Sequence, residues 1–253
     1  MKIAVCVKQV PTREWQPRLT DDRRWIREQD TSWELNEPDA YALEAALRLR
    51  EQHGGEVVVC SAGPARVAQI IREALARGAD RAIHVESDAL GSADAQTVAE
   101  ALAEAMRDEG VDLVLTGLQS DDQGHAQTGV VLAARLGWPH ATIIMEVQVA
   151  DGRLRVKREL EGGWFQWVAL PLPAVLTIQS GINQLRYATL KGIMAARKKE
   201  VRKVTPGSDP SARQEIVALY VPERTKTTEM IDGSAAEAAA TLVKKLREDA
   251  RAL

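Results

Sequence analysis

Cysteine is scarce: Cys6 and Cys60 are the only two in 253 residues, and both lie in apolar runs, "IAVCV" and "VVVC". A multi-bridge disulfide scaffold and a thiolate metal cluster are thereby excluded, and buried reduced thiols are the expected state. Charge of one sign is also lacking. Thirty-three Lys and Arg face 36 Asp and Glu, a net charge of −3, so the basic excess that bulk nucleic-acid binding requires is absent. No apolar run is long enough to cross a bilayer, and the opening "MKIAVCVKQV" has neither a signal peptide's apolar core nor its small-residue cleavage site. No membrane insertion and a cytoplasmic location are expected. The two glycine-rich phosphate motifs, the Walker lysine loop and G-x-G-x-x-G, are missing as well.

What remains is a chain with 45% hydrophobic residues, enough for one large core and an appendage. β-type apolar runs recur at 3–7, 57–60, 82–85 and 111–116, separated by alanine- and leucine-rich stretches of helical period. That alternation predicts an α/β fold: a parallel sheet with helices on both faces. The first helix should run over residues 38–52, with Asn36 as N-cap and Gly54-Gly55 as its stop. A second should open at Gly63-Pro64 and close at Gly78, a third should cover 93–108, and a fourth should end at Gly137. From Ala141 onward, two β-type runs flank Asp151-Gly152 and two more lie in "GGWFQWVALPLPAVLTI", predicting an antiparallel extension. "YATLKGIMAARKKEVRKV" reads as a short amphipathic segment running into a basic cluster. Residues 205–234 lack periodicity, and the end reads as a helix capped by Ser234. Two regions follow: a domain at 1–204, and an arm with terminal helix at 205–253 suited to docking on another chain.

The densest chemistry is in "GLQSDDQGHAQTG", residues 117–129, where a strand hands over to a helix. Ligands of open parallel sheets bind beyond the strands' carboxyl ends, so the loops Val7-Lys8-Gln9, 36–39 and Ser61-Ala62-Gly63 should gather nearby. Free amides at a helix start suit a phosphate, Thr128 can add a hydroxyl, and Gly129 allows close backbone approach. The equal alternative is that Thr128 or Ser120 only caps the helix. Asp121 and Asp122 do not make a catalytic pair, because no nucleophile or second base converges on them. His125 with two aspartates is a poor metal signature. Neither catalytic nor metal residues are assigned.

Residues 156–177, "VKRELEGGWFQWVALPLPAVLT", carry Arg158, Glu161-Gly162-Gly163, Gln166, Val168, Pro173 and Thr177. This resembles the signature of electron transfer flavoprotein β subunits. The similarity continues through "CVKQVP", "LNEPDAYALEAALRLRE", "SAGPA", "GADRAIHV" and "NQLRYATLKGIMAARKK", in order, from Met1 to about Lys203. The resemblance implies an adenine-nucleotide-binding, Rossmann-like fold and a heterodimer with an α subunit that holds redox-active FAD. It also implies a carrier, not an enzyme, taking electrons from flavin dehydrogenases to a quinone oxidoreductase or another acceptor. The β chain's own nucleotide would be AMP in a structural role, or a second FAD in the electron-bifurcating members that oxidise NADH. Carried over by position, the nucleotide would meet Cys6, Asn36, Glu37, Pro38, Asp39 and Ala62, then Gln119, Ser120, Asp121, Asp122, Gln123, Gly124, His125, Ala126, Gln127, Thr128, Gly129 and Val130. Thr128 resembles the AMP type and Ala126 the bifurcating type. The matching partner-recognition residues are Tyr187, Leu190, Ile193, Met194 and Lys198, with Leu190 as the anchor. Without the resemblance, Leu190 reads as a core residue of a short helix.

Overall fold

Alternation of side chains along each strand divides the apolar residues between two faces, and both faces need cover. In the computed structural model, which describes residues 1–14, 16, 18–150, 152–207, 212–222 and 228–252, that cover is helical on both sides. In chain order the elements are β1 (Lys2–Cys6), β2 (Gln9–Pro11), β3 (Trp33–Leu35), α1 (Glu37–His53), β4 (Glu56–Gly63), α2 (Ala68–Arg77), β5 (Arg81–Glu86), α3 (Ala95–Met106) and β6 (Leu113–Gly117). There follow α4 (Thr128–Leu136), β7 (His140–Ala150), β8 (Arg153–Glu159), β9 (Phe165–Pro171), β10 (Ala174–Ile178), α5 (Leu190–Ala196), β11 (Val201–Val204) and α6 (Ala235–Glu248).

Nine strands form one sheet in the order β11-β5-β4-β1-β6-β10-β7-β8-β9, and β2 pairs with β3 apart from it. Pairing is parallel from β11 to β7 and antiparallel through β8 and β9. Ile3 and Val5 of β1 join Leu43, Leu47, Ile70 and Leu75 of α1 and α2 in one core. Ala4 and Cys6 join Leu102 and Leu132 of α3 and α4 in the other. Each fully buried Leu or Ile contributes about 1.5–3 kcal/mol by leaving water, so the two cores carry the fold.

One expectation changes. The run 174–178 is not part of the antiparallel extension: β10 lies between β6 and β7, parallel to both, with all five residues buried. Burial on both faces is what makes it a continuous apolar run instead of an alternating one. The basic cluster ends in regular structure, where Arg202 and Lys203 belong to edge strand β11 beside β5 and pair with Glu109 and Glu86. The turn residue Asp151 lies outside the described residues, as do 208–211 and 223–227 of the arm.

The chain forms two compact units, Met1–Leu219 and Tyr220–Leu253. The second is built on α6. Its Ser234 side chain accepts from the Glu237 amide while the Glu237 carboxylate accepts from the Ser234 amide, a reciprocal cap as the terminal-helix reading required.

Candidate functional site

The chain passes from β1 to β4 on one side and returns to β6 on the other, so β1 is a switch point with a crevice beyond its carboxyl end. Asp39, in the first turn of α1, staples that point. Its Oδ2 accepts from the Lys8 amide at 2.8 Å and its Oδ1 from the Gly117 amide at 2.9 Å, tying the ends of β1 and β6 together. A Cβ on residue 117 would stand 2.5 Å from Asp39 Oδ1, so only glycine lets the staple close. Burial pushes the Asp39 carboxyl up to about 7, against the opposing pull of the Lys8 amide, Asn36, the Gly117 amide and the Lys8 charge.

Asn36 is buried, and it is not a side-chain cap. Its Nδ2 donates to the Gln119 carbonyl at 3.1 Å and its Oδ1 accepts from the Asp121 amide at 2.9 Å. An amide side chain matches one carbonyl and one N–H at once, so it fixes the 119–121 turn. The two aspartates diverge. Lys8 Nζ reaches Asp122 Oδ1 at 2.8 Å, Gln123 Oε1 at 2.9 Å and Ser120 Oγ at 3.3 Å, whereas Asp121 lies 3.6 Å from Arg13, which also pairs with Glu37. The two aspartates thus face different cations, Arg13 being shared with Glu37.

Beyond them the loop turns through two left-handed residues, Gly124 at φ 64° and Ala126 at φ 54°. It then enters α4, which has no side-chain cap and whose amide at Val131 bonds to the Gln127 carbonyl. The amides of Thr128, Gly129 and Val130 thus have no intrahelical acceptor. Thr128 and Ser120 do not cap this helix. Gly129 also has a packing reason: a Cβ there would stand 2.6 Å from both Thr116 Oγ1 and Thr177 Cγ2, so α4 approaches β6 and β10 closely at this point.

These elements enclose one cleft. Of the positions singled out in the sequence, Cys6, Asn36, Asp39, Ala62, Gln119, Ser120, Gln123, His125, Ala126, Gln127, Thr128 and Gly129 line it. Glu37, Pro38, Asp121, Asp122, Gly124 and Val130 are not among the residues that line it. Leu90, Val98 and Leu102 add an apolar wall that no motif marked, and Arg66 adds a cation at the β4 side. Arg66 lies over the Trp33 ring at 3.6 Å, forks Glu28 at 2.9 and 3.0 Å, and donates to Gln9 Oε1 at 2.7 Å. Its partners are remote in sequence, so nothing local signals it. Both thiols are free and buried, and burial raises each, Cys60 to about 12. Among the described residues no group of three or more His, Cys, Asp or Glu is placed to hold a metal ion, and no helix is long and apolar enough to cross a membrane.

A second cluster is exposed. Tyr187 and Leu190 are 86% and 83% solvent-accessible, with Ile193, Met194 and Lys198 exposed beside them, so the core reading of Leu190 is overturned. The extension shows aromatic residues too: Trp167 sits under Arg155 at 4.3 Å and Phe165 under Lys157 at 4.2 Å.

Residues 24–209 match the electron transfer flavoprotein domain family. Over 98% of both chains, the sequence is 40% identical to the electron transfer flavoprotein subunit beta of Methylophilus methylotrophus. It is 37% identical to that of Bradyrhizobium diazoefficiens over the whole of both chains, and 36% identical to that of Homo sapiens over 99% and 98%. With similarity of that extent running through the strand-end cleft and the exposed 187–194 segment alike, the chain belongs to the electron transfer flavoprotein β-subunit family.

Proposed function

We propose that the chain is the β subunit of a heterodimeric electron transfer flavoprotein whose strand-end cleft holds AMP in a structural role. With its α subunit it would hold a redox-active FAD and carry electrons from flavin dehydrogenases to a quinone oxidoreductase or another acceptor, without transforming an organic substrate. The observation that carries the AMP assignment is the start of α4, where the amides of Thr128 and Gly129, without intrahelical acceptors, belong to residues that line the cleft. Such amides, with the helix dipole behind them, suit a phosphate. The apolar wall of Leu90, Val98 and Leu102 suits a base. Asn36 and Asp39 line the cleft and also support it: their polar atoms hold backbone, and they set the shape of the 117–121 turn.

FAD, when bound with the α subunit, supplies the electron-accepting and electron-donating chemistry. This chain's part is to order that partner and present a surface. The reciprocal cap makes α6 persist as a helix, and its exposed Leu242 and Val243 suit docking on the α subunit. Leu190 would anchor a partner dehydrogenase, and Arg197 with Lys198 would speed its approach if the partner is acidic. The rival reading is a bifurcating β subunit, favoured by Ala126, in which the cleft holds a second FAD. Extracting and counting nucleotides from the purified heterodimer decides between them. One FAD with one AMP supports the carrier, whereas two FAD and no AMP overturn the AMP assignment and leave family membership intact.

A further inference from the structure

The exposed 187–194 segment is held at both ends. At its start Arg186 forks two carboxylates of α1: Nε and Nη2 donate to Glu44 at 2.7 and 3.2 Å, and Nη1 and Nη2 to Glu51 at 2.6 and 3.1 Å. Glu44 is buried, and its Oε1 also accepts from Arg48 at 2.6 Å. Arg48 in turn donates to the Gln184 carbonyl, and Asn183 donates to the Tyr41 carbonyl of the same helix. The approach to the segment is therefore bound to α1 at three points, the Asn183 side chain, the Gln184 carbonyl and the Arg186 side chain. At its far end, Thr189 caps α5 and a Cβ at Gly192 would collide with the Ala76 carbonyl of α2. Arg72 donates to the Ala196 carbonyl at 2.6 Å, and Lys199 donates to the Leu75 and Ala79 carbonyls.

Between these clamps Tyr187, Leu190 and Met194 are bare. An exposed apolar cluster on so firmly held a segment is costly to leave in water unless something binds it, and holding it in the bound conformation removes ordering entropy from the encounter. We infer that Arg186 is a positioning residue for partner recognition: gripped by Glu44 and Glu51, it presets the segment so that Leu190 meets a dehydrogenase already ordered. The inference rests on the reading of Leu190 as the partner anchor. α1 links this grip to the nucleotide cleft, because Asp39 stands in its first turn and Glu44 and Glu51 follow on the same helix.

The test uses the intact heterodimer and, as probe, the flavin dehydrogenase isolated from the same cells by its ability to reduce the wild-type heterodimer. Arg186→Ala should leave AMP content and α-subunit assembly unchanged and speed amide exchange over 187–194. If the ordered conformer falls to about a tenth of the population, the KM for the heterodimer rises about tenfold with kcat unchanged. Arg186→Lys keeps the charge but cannot fork two carboxylates, so it should fall between. Glu51→Gln removes only the exposed half of the grip and leaves Glu44 paired, so it serves where Arg186→Ala does not assemble; its KM should rise by a smaller factor, about threefold. Leu190→Ala runs in parallel. A raised KM for Leu190→Ala with no change for the Arg186 and Glu51 variants removes the positioning role and keeps the recognition reading. An unchanged KM for Leu190→Ala removes both. A loss of kcat at constant KM in Arg186→Ala also overturns the inference.

Discussion

Asp39 offers a test of whether burial or hydrogen bonding governs the staple at the switch point. Two amides point at its carboxylate, which by itself would favour the ionised form and lower the pKa. Burial works the other way and outweighs them, raising the group from 3.8 to about 7. The sign follows from the two states. Below the unfolded value both forms carry the proton, and the stability associated with it is fully present. Between 3.8 and about 7 the folded chain keeps a proton that the unfolded chain releases, so this stability is lost as pH rises and is gone above the folded value. At about 1.4 kcal/mol per pKa unit the whole swing is about 4 kcal/mol, of which about 3 kcal/mol falls between pH ~4.5 and pH ~8. Asp39→Asn removes the titration. It also turns an NH2 toward one of the two backbone amides, a pH-independent loss of about 1–3 kcal/mol. Urea unfolding of wild type and Asp39→Asn in parallel should show the variant clearly weaker near pH ~4.5 and level with wild type, or stronger, near pH ~8. Taking the difference cancels the titrations both proteins share. A gap that stays constant, or widens as pH rises, would refute the reasoning, because it would mean that the two amides hold the carboxylate ionised.

Other residues give sharper readouts of single contacts. Gly129→Ala should lower stability by about 1–3 kcal/mol through overpacking against Thr116 and Thr177, seen as a lower melting temperature and, on the AMP proposal, as loss of the nucleotide in the same preparation; a variant that melts like wild type removes the packing account. Lys8→Ala should change stability by less than about 1 kcal/mol, because its pair with Asp122 is partly exposed. Its effect should fall on retention of the nucleotide proposed for the cleft, which should leave faster in dialysis, and equal retention would show that the Lys8 bridge does not shape the cleft. Ser234→Ala should cost about 1 kcal/mol of α6 stability by deleting the reciprocal cap. Faster amide exchange confined to 235–248 would show it, and exchange unchanged there would count against the cap.

How much of this was legible in the sequence depends on whether the cause is local. The strands β1, β4, β5 and β6 and the helices between them declare themselves, because a strand covered on both faces is an apolar run and a surface helix has a period. β10 is apolar for the same reason, but its place between β6 and β7 depends on pairing with residues far along the chain, which no window contains. β11 is masked by its own charges: Arg202 and Lys203 read as a solvated run until Glu109 and Glu86 are brought beside them. The site divides in the same way. Residues 117–129 show from sequence that a strand end meets a helix start, and that suffices to find the cleft. The roles within it are not local, since Asn36 is a turn clamp only because Gln119 and Asp121 come to it, and Gly129 is required by Thr116 and Thr177. Asp121 and Asp122, adjacent in sequence, face separate cations, Arg13 and Lys8. What looks in sequence like a concentrated pair of acids is therefore two separately paired supports, and the α4 amides beyond them, without intrahelical acceptors, are where the proposed phosphate would sit.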